Sequence, residues 1–105
     1  MPYFDQPITQ GIPYLINVDN STGGKTAITI LKINRRDRFA AAELRFVDPG
    51  VRTQLTETVE RGIDRVIIAV HPPAFNQLGV EIKQDAVSFP QSCNGDTEIV
   101  FDTVP

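Results

Sequence analysis

Phe39-Ala40-Ala41-Ala42-Glu43-Leu44-Arg45-Phe46-Val47-Asp48-Pro49-Gly50 is the stretch on which the fold class turns. Phe39 to Arg45 is helix-forming material, and Asp37 is placed to cap such a helix. The second half argues the other way. Leu44 and Phe46 alternate with Glu43 and Arg45, as on a half-buried strand. Asp48-Pro49-Gly50 then makes a tight turn into Val51, Leu55 and Val59, which share one period-two face. A hairpin accounts for both halves together, so residues 39–47 are read as strand.

The same period runs outward in both directions. Upstream, Tyr14-Leu15-Ile16-Asn17-Val18 is stopped by the polar run Asp19 to Gly24, and Thr26 to Ile33 follows, rich in β-branched residues that suit a pleated surface. Asn34-Arg35-Arg36-Asp37-Arg38 breaks that strand as a turn. Downstream, Ile63 to Val70 is apolar on both faces, which predicts a central strand covered on both sides, and His71-Pro72-Pro73 ends it. Leu78, Val80 and Ile82 alternate with Glu81 and Lys83, and Ala86 to Phe89 stays extended up to Pro90. Gln91 to Asp96 reads as a loop, and Glu98 to Val104 is the last strand. About seven short strands with turn chemistry between them predict an antiparallel β-sandwich over residues 14–105. It is immunoglobulin-like only in the broad architectural sense, because the Cys…Trp…Cys hallmark is absent. The proline-dotted residues 1–13 read as an N-terminal arm.

Composition narrows the chemistry. The chain has 105 residues, 41% of them apolar, which is enough for one core. With one Cys, one His and no Trp, it cannot build an internal disulfide, a two-histidine metal motif or a four-cysteine zinc site. Neither a metal nor a cofactor is expected. The net charge of −3 argues against nucleic-acid binding, whose affinity comes largely from phosphate neutralisation. No apolar run approaches the length of a membrane span, and no basic-then-apolar leader opens the sequence, so a cytoplasmic protein is expected, unless a leader has been removed.

Several local motifs invite a function and then lose it. Asp19 to Thr26 ends in Gly-Lys-Thr like a phosphate-cradling loop, but Asp19 stands where that pattern needs glycine, and the following segment is β-branched rather than helical. Asn20-Ser21-Thr22 is a formal glycosylation acceptor, and the oxygens of Asp19, Asn20 and Ser21 lack calcium-loop spacing; an exposed turn explains both. Cys93 and His71 are the one pair able to form a nucleophile and base, as in a small hydrolase, and both fall at turns. Asp96 with Glu98, and Glu81 with Lys83, sit at strand spacing as solvated charge, and Asp64 sits beside Arg65 at a strand edge.

Binding features are better represented. Arg35, Arg36 and Arg38 crowd one turn, where guanidinium forks suit a small anionic ligand or an acidic partner. RNA binding would add exposed aromatics, and Phe39 and Phe46 are read as core. The expected function is therefore a non-catalytic protein–protein interaction or assembly module that self-associates. Tyr14 to Val18, with few charges, is the expected edge strand for pairing with another chain. The contact residues would be Phe4, Ile8 and Ile12 of the arm, together with Tyr14 and Ile16.

Overall fold

A computed structural model describes residues 3–20, 26–73 and 77–105. Among these residues there are nine strands and no helix: β1 (Tyr3–Thr9), β2 (Pro13–Asn20), β3 (Thr26–Asn34), β4 (Phe39–Val47), β5 (Val51–Thr58), β6 (Arg65–His71), β7 (Gln77–Gln84), β8 (Val87–Asn94) and β9 (Thr97–Val104). They form a five-stranded sheet in the order β1-β9-β6-β3-β4 and a four-stranded sheet in the order β5-β2-β7-β8. Two sheets sharing one core make a β-sandwich-like fold. Residues 39–47 are strand, in an unbroken nine-residue register with β3 from Thr26↔Val47 to Asn34↔Phe39.

Period-two alternation builds the core. Tyr14, Ile16 and Val18 of β2, Ile28 and Ile30 of β3, Val66, Ile68 and Val70 of β6, and Leu78, Val80 and Ile82 of β7 are all buried. Phe101 of β9 joins them and meets Phe89 edge-on, with ring centroids 6.2 Å apart. The β4–β5 turn is fixed from beneath by Asn20. Its Nδ2 donates to the carbonyl oxygens of Val47 (3.3 Å) and Asp48 (3.1 Å). Gly50 closes that turn at φ +77°, where a side chain would be strained, and its N–H donates to the Asn20 carbonyl at 2.6 Å.

Four expectations are corrected by the pairing. Residues 3–9, expected within an arm, form β1 and run parallel to β9, so the sandwich is not wholly antiparallel. β2, expected at an edge, lies between β5 and β7. β8 continues through Pro90 to Asn94 where a loop was expected; Pro90 sits on an edge strand, the position in a sheet that tolerates proline. β6 is interior as expected, but it is fully covered on one face only, since Ile67 and Ala69 on its other face are half-buried.

Candidate functional site

The two outer faces of the sandwich differ sharply in chemistry. On the five-stranded sheet, the registers place Phe46, Ala27 and His71 in one cross-strand row, and Leu44, Thr29, Ala69 and Glu98 in the next. Ala42, Leu31, Ile67 and Val100 make a third row, and Ala40, Ile33, Arg65 and Asp102 a fourth. The third row is therefore apolar from β9 to β4, and the second is apolar on β4 and β6 but carries Thr29 on β3 and Glu98 on β9. Val100 is sealed by its neighbours, whereas Leu44 is 57% and Phe46 64% exposed. Ordinary sandwich strands alternate apolar-in and polar-out. This face breaks that rule, most strongly on β4.

Phe39 and Phe46 are therefore not core residues, contrary to the expectation from alternation. β4 is an edge strand, and only Val47, beside the turn, is buried along it. Phe46 belongs to the outward-facing set. Phe39, 54% exposed, pairs with Asn34 at the far end of the ladder.

The four-stranded sheet presents the opposite chemistry. Gln54 Nε2 donates to Asn17 Oδ1 (2.8 Å), Asn17 Nδ2 donates to Glu81 Oε1 (3.2 Å), and Ser88 Oγ donates to Glu81 Oε2 (2.8 Å). This chain crosses all four strands. The bonds from Ser88 and Asn17 hold the Glu81 carboxyl below its ordinary value. A shallow concavity of about 780 Å³ lies over it, bounded by Asp19, Arg52, Gly79 and Ser92.

The expected binding residues fall in different places. Arg35 is held by Asp64, with Nε 2.8 Å from Oδ2 and its backbone N–H 3.2 Å from Oδ1. Those contacts lower the Asp64 carboxyl below its ordinary value, and Asp37 is tied to Asn34. Arg36 and Arg38 are exposed at the same turn. Of the expected contact residues, Ile8, Tyr14 and Ile16 are at most 2% exposed, so their side chains build the core and present nothing to a partner. Ile12 is half-buried, and Phe4 stands opposite Ile99 in β1.

Cys93 and His71 are not brought together as a catalytic pair. Cys93 is buried, and that burial pushes its thiol up, against a smaller opposing effect of a hydrogen bond with Thr97. His71 instead has Nδ1 3.1 Å from Asp96 Oδ1 and Nε2 3.4 Å from Thr29 Oγ1. Hydroxyl, imidazole and carboxylate thus stand in the order of a nucleophilic triad. No local signal reveals this trio in the sequence, because two separate strand pairings, β3 with β6 and β6 with β9, assemble it. Thr29 lies mid-strand in β3, between β4 and β6, where neighbouring N–H groups belong to the sheet ladders rather than to an oxyanion site.

Protein families, curated proteins and solved structures yield no match to this chain. The chemistry of the site therefore rests on its own geometry. Asp19, Asn20 and Thr26 end and begin strands. The intervening residues 21–25, with most of the phosphate-loop and glycosylation motifs, lie outside the described residues. The segment after them is strand β3, not the helix a phosphate loop requires. Among the described residues, no three His, Cys, Asp or Glu side chains stand close enough to hold a metal ion, and no helix is long and apolar enough to cross a membrane.

Proposed function

We propose that this protein is a non-catalytic, self-associating assembly module that acts through the β4 margin of its five-stranded sheet. The observation that carries the reading is the exposure of Leu44 (57%) and Phe46 (64%) beside Ala40 and Ala42, on an outward row with no charged residue. Covering a Leu or Phe side chain is worth roughly 1.5–3 kcal/mol, a large gain to leave unused on one short strand. The immunoglobulin-like description belongs to the same proposal. Four and five strands match the layer count of a variable-type domain, although β2 pairs with β5 and β7 rather than with the first strand.

The rival anion-binding reading draws on Arg35, Arg36 and Arg38, and it has less support because Arg35 is already engaged by Asp64. The small-hydrolase reading has less still, given a buried Cys93. Size-exclusion chromatography with light scattering tests the proposal. The wild-type chain is expected above its 11.6 kDa monomer mass, and Leu44→Ser with Phe46→Ser is expected to return it to that mass. A wild-type chain that stays monomeric at about 1 mM, the weak end of useful affinities, overturns it.

A further inference from the structure

We infer that the occupant of the β4 edge is a second copy of this chain, paired antiparallel, β4 to β4, about a two-fold axis at Leu44. The inference rests on the assembly reading above and adds its partner, its geometry and its register. β4 is the edge that invites a strand. It has neither Pro nor Gly in nine residues and no bulge against β3. β1 and β8, by contrast, contain Pro7 and Pro90, and the outward row of β5 is Arg52, Gln54, Thr56 and Thr58.

Charge complementarity selects the register. Glu43 and Arg45 both lie on the inward-facing row of β4, and within one chain they sit 3.3 Å apart. Centring the axis on Leu44 places Glu43 of each copy opposite Arg45 of the other, and Phe46 opposite Ala42, large against small. Shifting the axis one residue either way places Glu43 against Glu43 or Arg45 against Arg45, and like charges directly opposite are destabilising. The Leu44-centred register also carries the basic turn around Arg38 alongside the Asp48–Gly50 turn of the second copy. Closed two-fold pairing of this kind is self-complementary and ends at a dimer.

Two single charge reversals and their mixture test the register, with circular dichroism confirming that each variant keeps its strand signal. Glu43→Lys and Arg45→Glu are each expected to run at the 11.6 kDa monomer mass, because each sets like charges opposite one another. Mixed in equal amounts, they are expected to recover twice that mass, since every charge on one β4 then faces its opposite. No effect within a single chain produces recovery on mixing. Crosslinking supplies an independent measurement should a reversal fail to fold. Directly opposed residues have Cα atoms about 4.5–5.5 Å apart, which a disulfide spans. Leu44→Cys is therefore expected to crosslink to itself under oxidation, and Ala40→Cys, which faces Asp48 of the second copy, is not.

The failures separate cleanly. If the wild type associates and Leu44→Ser with Phe46→Ser dissociates it, but the reversals and the mixture change nothing, the register is wrong and the assembly reading stands. A monomeric wild type overturns both.

Discussion

Lys32 of β3 places its Nζ 2.9 Å from Oε1 of Glu60 and 3.5 Å from Oε1 of Glu57, closing the side of the sandwich where β4 and β5 run out. Lys32 is 9% exposed and Glu57 7%, so both are charges taken largely out of water. Removing one partner of a buried pair costs about 3–5 kcal/mol, because the other is left uncompensated. Glu60 is mostly solvated and Arg45 lies 3.7 Å from Glu57, so the cost here is reduced. Lys32→Met is expected to lower unfolding stability by about 2–3 kcal/mol in urea titrations. Adding Glu57→Leu to that variant is expected to recover at least half the loss. A double variant less stable than the single one would show that Glu57 is stabilised by something other than Lys32.

The same cluster sets a pH dependence. Burial works against ionisation of Glu60, but the hydrogen bond and charge of Lys32 outweigh it and hold the carboxyl below its ordinary 4.5. For Lys32, burial pulls the other way, and the bond to Glu60 with the charges of Glu60, Glu57 and Glu43 raises it above its ordinary 10.5. A depressed carboxyl stabilises the fold above its unfolded value and loses that contribution as pH falls through the folded value. A raised ammonium stabilises below its unfolded value and loses its contribution as pH rises through the folded one. The stability difference between wild type and Lys32→Met is therefore expected to be level between pH 4.5 and 10.5 and to shrink on both sides. Urea midpoints measured across that range check it. A difference that persists unchanged into strong acid would show that Glu60 contributes nothing to it.

Cys93 gives a prediction about reactivity. Its side chain has no exposure, and burial holds the thiol protonated, whereas the thiolate is the reactive form. Labelling by a disulfide reagent at neutral pH is expected to be limited by opening of the fold, so that denaturant accelerates it by about 100-fold or more. Rapid labelling of the folded protein would mean that β8 opens readily and would revive a nucleophilic role for Cys93.

Much of the fold is legible because it is written in local period-two patterns. The inward rows of β2, β3, β6 and β7 read directly from Tyr14 to Val18, Ile28 to Lys32, Val66 to Val70 and Leu78 to Ile82. What the sequence hides is which strand lies at an edge, since pairing joins segments far apart. β1 and β9 meet in the register Phe4↔Ile99 from opposite ends of the chain, and no local signal announces it. Pro7 and Pro90 disguise two strands because the edge positions that tolerate them are themselves set by those remote pairings. Leu44 and Phe46 show the consequence most plainly. Their alternation marks a strand face correctly, yet only the neighbouring strands decide whether that face meets core or water.

Tyr14 reverses its expected role, from a partner contact to the largest fully buried side chain. Its hydroxyl has no hydrogen-bond partner among the described residues. Burial, reinforced by the negative charges of Glu57, Glu60 and Glu43, pushes its ionisation far above the ordinary value of 10.0, so it remains a neutral phenol. A buried hydroxyl left without a partner costs about 1–3 kcal/mol in lost hydration. Phenylalanine keeps the ring and its packing against the core while deleting that oxygen. Tyr14→Phe is accordingly expected to raise unfolding stability by about 1 kcal/mol, with no change in the assembly state, because the side chain reaches no outer surface. Loss of stability in urea titration would mean that the hydroxyl is hydrogen-bonded in solution, with Glu57 the first group to examine. Loss of association instead would mean that this inner row helps to shape the β4 margin.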